Sequence, residues 1–398
     1  MIEKTVNNRR LEICIPCFAD VQSLIAALQP NYSIYCFRPK ILAEKVKQFI
    51  SLFPGTVIYA LKCNPQPIVV DALYKAGIRG FDIASEAEFS QISNAYKDAK
   101  SYFMHPVKSR AAIKSAYWDH GIRHFVADHY DELEKILQET GGEDIVIMVR
   151  LKTPASQGSF YNLSKKFGAE PNDASSLIKE AERHGCKTGI TFHVGSQCID
   201  PKAYSIALDI VEEVIHSTSI QPICLDVGGG FPNAYPGTNV PPLEDYMTEI
   251  KHGLNRLRLS PQTQVIAEPG RALVASSCSL LVQVQLRKKN QLYINDGIYG
   301  GLSELYDSKI QLPARVVRLN DFTSNKLEEF YINGATCDSA DMLPTPLKLS
   351  NDVREGDWIE IDQIGAYSNS SVTRFNGLCS EAFSILYDEP LSRAALSY

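Results

Sequence analysis

Short apolar runs alternate with longer amphipathic stretches from about residue 33 to residue 270. Eight runs have the length of buried strands: 57–61, 80–83, 101–104, 124–127, 145–151, 188–194, 222–227 and 264–268. The stretches around them predict helices at 39–52, 65–76, 85–96, 109–119, 129–139, 171–185, 201–217 and 242–257. This alternation is typical of a parallel sheet covered by helices, and eight units within about 230 residues favour a closed (β/α)8 barrel over an open doubly wound sheet.

The pattern changes after Arg271, where shorter runs are separated by Gly, Asn and Asp. Such runs predict an all-β region, with strands at 282–286, 291–295, 314–317, 329–332, 358–361 and 384–386. The apolar segment 11–16 is predicted to add a strand to this region. We therefore expect an α/β barrel over residues 33–272 and a β domain made of residues 1–32 and 273–398.

The composition is that of an ordinary soluble globular protein, with 44% hydrophobic residues, 22% charged residues and a net charge of −6. Charged residues form no long run of one sign, so we expect neither a nucleic-acid partner nor a membrane partner. The first residues contain no signal-peptide core. Ten scattered cysteines favour reduced thiols and a cytoplasmic protein. The eight histidines show no metal-binding spacing, so no metal is expected.

Polar residues and glycines stand at most of the predicted strand ends, which is where the chemistry of a barrel collects. Lys62 follows the first strand and precedes Asn64-Pro65, a pair that begins a turn. An apolar setting would lower the pKa of this lysine, and a neutral amine attacks carbonyl groups to form Schiff bases. Taken alone, a lysine that extends its amine into solvent is the simpler interpretation.

Three consecutive glycines, residues 228–230, follow the seventh predicted strand. A glycine run after a strand lets backbone N–H groups approach a phosphate closely, although a tight turn alone would also explain it. The run matches neither the Walker pattern nor Gly-x-Gly-x-x-Gly, so a nucleotide site is not indicated. Ser196 and Arg271 at neighbouring strand ends favour a single phosphate, which barrels often bind near strands seven and eight.

Two further residues at these strand ends complete a recognisable set. Glu268 could form an internal salt bridge with Arg271, or could hold a ring nitrogen in its protonated form. His193 could be an ordinary core histidine, or could stack on a flat ring. A lysine, a phosphate cradle, a ring-facing carboxylate and a flat histidine together describe a site for pyridoxal 5'-phosphate, PLP.

With these motifs the chain resembles the ornithine/diaminopimelate/arginine decarboxylase family of PLP enzymes, called fold type III, and is most similar to its ornithine decarboxylase branch. The barrel motifs are Tyr-Ala-Leu-Lys-Cys-Asn at 59–64, Phe-Asp-Ile-Ala-Ser-Glu at 81–86, His-Val-Gly-Ser at 193–196, Gly-Gly-Gly-Phe-Pro at 228–232 and Glu-Pro-Gly-Arg at 268–271. The later motifs are Leu-Tyr-Asp at 305–307, Thr-Cys-Asp-Ser-Ala-Asp at 336–341, Gly-Ala-Tyr at 365–367 and Phe-Asn-Gly at 375–377. The resemblance implies a TIM-like barrel followed by a modified β-barrel domain.

The resemblance also implies roles for individual residues. The implied catalytic residues are Lys62, Cys337, His193 and Glu268. The implied cofactor-binding residues are Lys62, Asp82, Arg150, His193, Ser196, Gly229, Gly230, Glu268, Gly270, Arg271 and Tyr367. The implied substrate-binding residues are Asp307, Asp338, Tyr306 and Phe375. Active sites would be shared within a homodimer, since Cys337 would deliver a proton to the α carbon in the barrel of the other chain.

The acids Asp307 and Asp338 would attract the distal ammonium of a basic amino acid, most favourably L-ornithine, which would give putrescine. Lysine, which would give cadaverine, remains open because one methylene is worth only about 1–3 kcal/mol in a pocket. The diaminopimelate branch has a glutamate after the cysteine, which argues against that substrate, and the long planar head of arginine is less suitable.

Two segments depart from the family pattern. Asn333-Gly334-Ala335 stands where the family often has a proline, and Tyr161-Asn162 stands where a basic residue is usual. A decarboxylase of a specialised or D-amino-acid substrate therefore remains an alternative. A non-catalytic binding homologue and an alanine racemase are less favoured, because the lysine, the ring-facing carboxylate and the Cys-Asp pair are all present.

Overall fold

The structure is a computed structural model that describes residues 15–154, 163–308 and 310–394. Its strands are β1 (Cys17–Phe18), β2 (Ile34–Phe37), β3 (Thr56–Ala60), β4 (Gly80–Ile83), β5 (Lys100–Phe103), β6 (His124–Ala127), β7 (Val146–Arg150), β8 (Lys187–Thr191), β9 (Cys224–Asp226), β10 (Gln264–Ala267), β11 (Cys278–Lys288), β12 (Gln291–Ile294), β13 (Ala314–Val317), β14 (Leu327–Asn333), β15 (Leu347–Ser350), β16 (Trp358–Ile361) and β17 (Phe383–Leu386). Its helices are α1 (Val21–Leu28), α2 (Pro39–Leu52), α3 (Pro67–Ala76), α4 (Glu86–Ala95), α5 (Arg110–Trp118), α6 (Tyr130–Thr140), α7 (Pro171–Arg183), α8 (Lys202–Thr218), α9 (Leu243–Leu257), α10 (Arg271–Val274), α11 (Leu305–Ser308) and α12 (Leu391–Ala394).

Eight parallel strands of the described chain, β3 to β10, close into a barrel. The closing pair is β10 with β3, which aligns Ile266 with Thr56 and Ala267 with Val57. Helices α3 to α9 each connect one barrel strand to the next. The predicted (β/α)8 barrel is therefore confirmed, and each predicted barrel strand overlaps an observed one.

The interior of the barrel is filled by side chains. A separate buried cluster comes from the strands and their ends alone: Ile58, Tyr102, Met104, Val126, Val146, Met148, Cys224 and Ile266. A second, larger cluster lies where the strands pack against the helices. Strands buried on both faces read as continuous apolar runs, which is why the sequence pattern located them well. A filled barrel leaves the loops after the strands as the place for a site.

Nine described strands form a second sheet, in the order β1-β17-β2-β11-β12-β14-β15, with β16 pairing to β11 and β13 pairing to β16. The long strand β11 pairs with β2 over its first half and with β12 over its second half. A mostly-sheet domain after the barrel is thereby confirmed.

The N-terminal part of the chain differs in detail from the prediction. Strand β2 pairs with β11 and β17 in the second sheet, although the predicted boundary at residue 33 assigned it to the barrel segment. An apolar run before a helix does not show which sheet it joins, so the sequence pattern could not separate the two. The predicted strand at 11–16 falls largely outside the described residues, and the first described strand is β1. The domain boundaries themselves stay predictions.

A loop of the second sheet reaches the end of the barrel where strand β3 stops. The backbone N–H of Tyr367 donates to the carbonyl of Cys63 at 2.9 Å, and the Asn64 amide nitrogen donates to the carbonyl of Gly365 at 2.9 Å. At Gly365 a Cβ would lie 1.9 Å from the carbonyl oxygen of Val274, so only glycine allows this approach. Among the described residues, no helix has the length and apolar character needed to cross a membrane.

Candidate active site

A cavity of about 430 Å³ opens at the C-terminal end of the barrel strands. Its lining combines the segments after β3, β7, β8 and β10 with segments from the second sheet: Lys62, Leu163, His193, Ser196, Arg271, Ser303, Glu304, Asp307, Tyr367 and Ser371. Six of these ten are residues that the sequence predicted for the site. Predicted residues that follow β3, β8 and β10 therefore converge on one cavity.

Lys62 lies in a single 3-10 turn, Leu61–Cys63, directly after β3. Its two neighbours in the turn are buried, while the Lys62 side chain is 44% exposed. The Lys62 Nζ lies 2.6 Å from Oδ2 of the buried Asp82, at the end of the next strand. The lysine is therefore directed along the mouth of the barrel and paired there.

The expected lowering of the Lys62 pKa is wrong for this structure. Burial alone would lower the pKa of the ammonium, but the carboxylates of Asp82 and Glu268 outweigh burial and raise it above its ordinary value. Both carboxylates come from other strands, so the local sequence around Lys62 could not reveal them. The acids of neighbouring strands therefore favour the protonated form of the Lys62 amine.

Glu268 is a buried acid that follows β10 and has one unused oxygen. Its Oε1 is buried without a hydrogen-bond partner in the described chain. Burial, reinforced by the carboxylates of Asp226 and Asp82, raises the pKa of Glu268 well above its ordinary value. A buried acid with an unused oxygen is poised to bind a cationic N–H group, since such a partner would stabilise its ionised form.

Asp226, the last residue of β9, lies beside Glu268 and was missed by sequence reasoning. Its Oδ2 accepts from the Thr191 hydroxyl at 2.6 Å, and its Oδ1 accepts from the Gly228 N–H at 2.8 Å. Burial raises the pKa of Asp226 to about 6, although these hydrogen bonds lower it. The sequence feature that could have identified Asp226 is a single acidic residue at the end of an otherwise apolar strand.

His193 contributes a neutral ring to the same wall of the cavity. Burial lowers the pKa of its imidazole well below the ordinary value, and the charges of Arg150 and Lys62 lower it further. Its Nδ1 accepts from the Gly195 N–H at 3.0 Å, which assigns the ring proton to Nε2. Arg150, the end residue of β7, is itself held over the Phe167 ring at 5.3 Å. The two predicted residues His193 and Arg150 therefore lie close enough for the charge of Arg150 to act on the His193 ring.

The glycines after β9 have no room for side chains. A Cβ on Gly229 would lie 2.7 Å from the Glu268 carbonyl oxygen and 3.0 Å from His193 Nε2. Gly230 has a φ of +108°, and a Cβ there would lie 2.5 Å from the Gly195 carbonyl oxygen. These contacts draw the loops after β8, β9 and β10 together. Gly270, after β10, packs equally closely against the turn after β3, because a Cβ on Gly270 would lie 2.8 Å from Cβ of Cys63.

We expect Gly230→Ala to lower the free energy of unfolding by about 3 kcal/mol, because a strained φ and a clash with backbone add together. The matched control is Gly237→Ala, on the same loop with a φ of +77° and its nearest neighbour, Gln311 Oε1, 4.0 Å away. That control should cost only about 1 kcal/mol. Urea unfolding of both variants measures the difference, and equal losses would contradict the close approach of the two loops.

Arg271, the first residue of α10, is buried between the barrel and the second sheet. Its guanidinium pairs with Glu304 through both terminal nitrogens and also contacts the hydroxyls of Tyr235 and Ser196. The Tyr367 ring lies 5.0 Å from the guanidinium carbon. The predicted Ser196, Arg271 and Tyr367 are thus brought together, while Glu304 and Tyr235 were missed because nothing in their local sequence marks them.

Three of the remaining predicted residues, Cys337, Asp338 and Phe375, form a second cluster outside the cavity lining. The Cys337 N–H donates to Oδ1 of Asn376 at 3.1 Å, and the Phe375 ring lies 4.9 Å from the Tyr299 ring. The Tyr299 hydroxyl also donates to Asp338. Cys337 is exposed in this chain, as are Phe375 and Tyr306 at 42% and 56%.

Asp307 is the predicted substrate residue that the structure does place in the cavity lining. It follows Glu304 by three residues, in the short helix α11. Its partner in the prediction, Asp338, belongs to the second cluster, whose members are absent from the described cavity lining. One chain alone therefore presents one of the two expected substrate carboxylates to the lysine.

Comparisons with known proteins find relatives that match most of the chain. A family model described as pyridoxal-dependent decarboxylase, pyridoxal binding domain matches residues 40–275. An ornithine decarboxylase of Schizosaccharomyces pombe is 32% identical over 336 residues, which cover 80% of this chain and 75% of that protein. A lysine/ornithine decarboxylase of Selenomonas ruminantium is 31% identical over 86% of both chains. The solved structure of a Paramecium bursaria Chlorella virus arginine decarboxylase bound to agmatine has a TM-score of 0.81 and 25% identity, and covers 92% of this chain and 98% of that one.

Proposed function

Because the chain belongs to the pyridoxal-dependent decarboxylase family and is a decarboxylase of basic amino acids, we propose that it converts L-ornithine to putrescine. Lysine, which gives cadaverine, is the second candidate. The observation that carries the proposal is the placement of Lys62 and Asp307 in one cavity of about 430 Å³. An anchoring amine and a carboxylate for a distal ammonium thus share one space. A decarboxylase of a specialised or D-amino-acid substrate stays the alternative.

The residues of this cavity, together with those at the neighbouring strand ends, fit PLP as the cofactor. The Glu268 Oε1, buried and without a partner in the described chain, suits a protonated ring nitrogen. Gly229 and Gly230, whose loop packs closely against the loops after β8 and β10, would offer backbone N–H groups to a phosphate, which Ser196 and Arg271 would hold with them. Lys62 supplies the amine for covalent attachment, with Asp82 holding that amine at 2.6 Å.

PLP would supply an electron-withdrawing ring that accepts the electron pair left by the departing carboxylate. We assign the ring-facing role to Glu268, whose carboxylate would keep the ring nitrogen protonated. We assign a stacking role to the neutral imidazole of His193, which carries no charge to repel a cationic ring. Tyr367, whose ring lies beside the Arg271 guanidinium, would hold the phosphate with it, and Gly270 and Arg150 would brace the pocket. Together these residues would bind the cofactor and keep its ring nitrogen protonated.

We further propose that the enzyme is a homodimer with shared active sites. The cluster of Cys337, Asp338 and Phe375 is turned to the outside of its own chain, with Cys337 exposed. Cys337 of the partner subunit would protonate the α carbon, and the partner subunit's Asp338 would join Asp307 at the distal ammonium. Nine cysteines in the described chain are free thiols, which supports a reducing, cytoplasmic setting for such a protein.

The test is carbon dioxide release from a panel of L- and D-ornithine, lysine, arginine and diaminopimelate. We expect L-ornithine to have the highest kcat/KM. A preference for lysine or for a D-amino acid would overturn the ornithine assignment, while release from no member of the panel would contradict basic amino acids altogether.

Asp307→Asn is expected to lower kcat/KM for L-ornithine roughly 10- to 100-fold, because a hydrogen bond to a charged group is worth about 1.5–3 kcal/mol. The matched substrate control is L-norvaline, which has the same carbon chain without the distal amine. Its turnover should be equally slow in the wild type and the variant. A similar loss for both substrates would show that Asp307 does not act on the distal ammonium.

A further inference from the structure

Arg271 and Glu304 form a salt bridge inside the site proposed for the cofactor's phosphate. The Arg271 Nη1 lies 2.9 Å from Glu304 Oε2, and its Nη2 pairs with Oε1 of the same carboxylate. The two side chains are only 3% and 13% exposed. A buried bidentate salt bridge of this kind is among the strongest contacts that an arginine makes. The arginine expected to bind a phosphate thus already binds an anion of its own chain.

The terminal nitrogens of Arg271 have no N–H left for another acceptor. A guanidinium has four terminal N–H groups and one on Nε. The Nη1 atom also contacts the Tyr235 hydroxyl at 2.8 Å, and the Nη2 atom also contacts the Ser196 hydroxyl at 3.4 Å. The Nε atom is buried and has no partner in the described chain. A phosphate can therefore take a terminal N–H of Arg271 only by displacing one of these acceptors.

Glu304 is the acceptor that a phosphate would displace. A phosphate dianion and a carboxylate on the same guanidinium repel each other, and little solvent separates them in a buried site. The neutral hydroxyls of Tyr235 and Ser196 are not repelled in this way. Glu304 also precedes the four-residue helix α11 in a turn, where a change of side-chain rotamer needs no rearrangement of the barrel.

We propose that Glu304 is an internal competitor for the phosphate site, bound to Arg271 when the cofactor is absent and displaced when its phosphate binds. This inference rests on the proposed use of PLP. Without cofactor, Glu304 neutralises a buried arginine that would otherwise be an unpaired charge. With cofactor, the phosphate takes over that task. Glu304 therefore stabilises the enzyme without cofactor and lowers its affinity for PLP.

The experiment compares PLP binding by full-length wild-type protein and Glu304→Gln, both stripped of cofactor and titrated with PLP while absorbance is followed. Glutamine keeps the size of the side chain and removes its charge. We expect the Kd for PLP to fall at least tenfold in the variant. The same titration with pyridoxal, which lacks the phosphate, should give equal Kd values for both proteins, because Glu304 competes with the phosphate alone.

Asp307→Asn is the charge-matched control, since it removes one carboxylate from the same cavity but Asp307 is not among the described hydrogen-bond partners of Arg271. It should leave the Kd for PLP within twofold. Glu304→Ala, a second variant, should tighten PLP binding in the same direction as Glu304→Gln. Thermal unfolding adds an independent signature, because both Glu304 variants should be less stable without PLP and gain more from its addition.

Weaker or unchanged PLP binding by the Glu304 variants would overturn the inference, since it would mean that Glu304 only positions Arg271. An equal gain with pyridoxal, or with Asp307→Asn, would also overturn it, because the effect would not then pass through the phosphate. Absence of PLP binding by the wild type as well would instead overturn the proposed function itself.

Discussion

Replacing Lys62 with alanine is expected to abolish covalent attachment of PLP and to lower kcat by about a thousandfold or more, within the range of 10²–10⁴ typical of a proton-transferring catalytic group. Lys62 lines the cavity, and its Nζ is already directed along the mouth of the barrel by Asp82 at 2.6 Å. The variant would lose both the covalent anchor and an amine placed to move protons at the reacting carbon. The two losses fall on one side chain, which is why this effect should be the largest from a single substitution.

Reduction with borohydride followed by mass spectrometry of the denatured protein measures the attachment directly. Wild-type protein should gain the mass of one reduced cofactor per chain, whereas Lys62→Ala should gain none. The matched control is Lys75→Ala, in which an exposed lysine of the following helix α3 is removed. It should keep the added mass and the activity. A Lys62→Ala protein that still carried the cofactor covalently would falsify the assignment of the anchor.

The barrel was predictable because its strands are buried on both faces, which makes each one a continuous apolar run that local sequence displays. Strand β4, for example, is buried throughout and was predicted at its observed bounds. Strand β2 was not predicted, because its pairing with β11 and β17 depends on residues more than 200 positions away. Strand β15 was missed, since Pro344 and Pro346 immediately before it make the segment look like a loop.

The positions of the site residues were predictable from the sequence where these residues lie at strand ends. Lys62, Asp82, His193 and Glu268 lie at or just after the ends of strands, and the order of these strands in the barrel sets their neighbours. The direction of the Lys62 pKa was not predictable, because it depends on carboxylates from other strands. Glu304 was not predictable either, because its contact with Arg271 exists only where the second sheet meets the barrel. Charge environments, unlike strand positions, are properties of the assembled fold.

Mixing two inactive variants, Lys62→Ala and Cys337→Ala, is expected to restore about a quarter of wild-type activity, which is the outcome for a two-fold dimer with sites built from both chains. Cys337 lies outside the cavity lining of its own chain and is exposed, so it reaches no lysine there. After random exchange half of the dimers are mixed. Each mixed dimer has one site with an intact lysine and an intact partner cysteine, and one site that lacks both.

The control for this experiment pairs Lys62→Ala with Glu268→Ala, two residues that belong to the same barrel. Every site in such a mixed dimer takes its barrel residues from one chain, so each site lacks either the lysine or the glutamate. No activity should return, although subunit exchange occurs just as in the first mixture. Absence of recovery with Cys337→Ala, after exchange has been verified, would place Cys337 in the site of its own chain. Recovery with Glu268→Ala would contradict the assignment of Lys62 and Glu268 to one barrel. Recovery in the first mixture alone assigns the lysine and the cysteine to different chains of one active site.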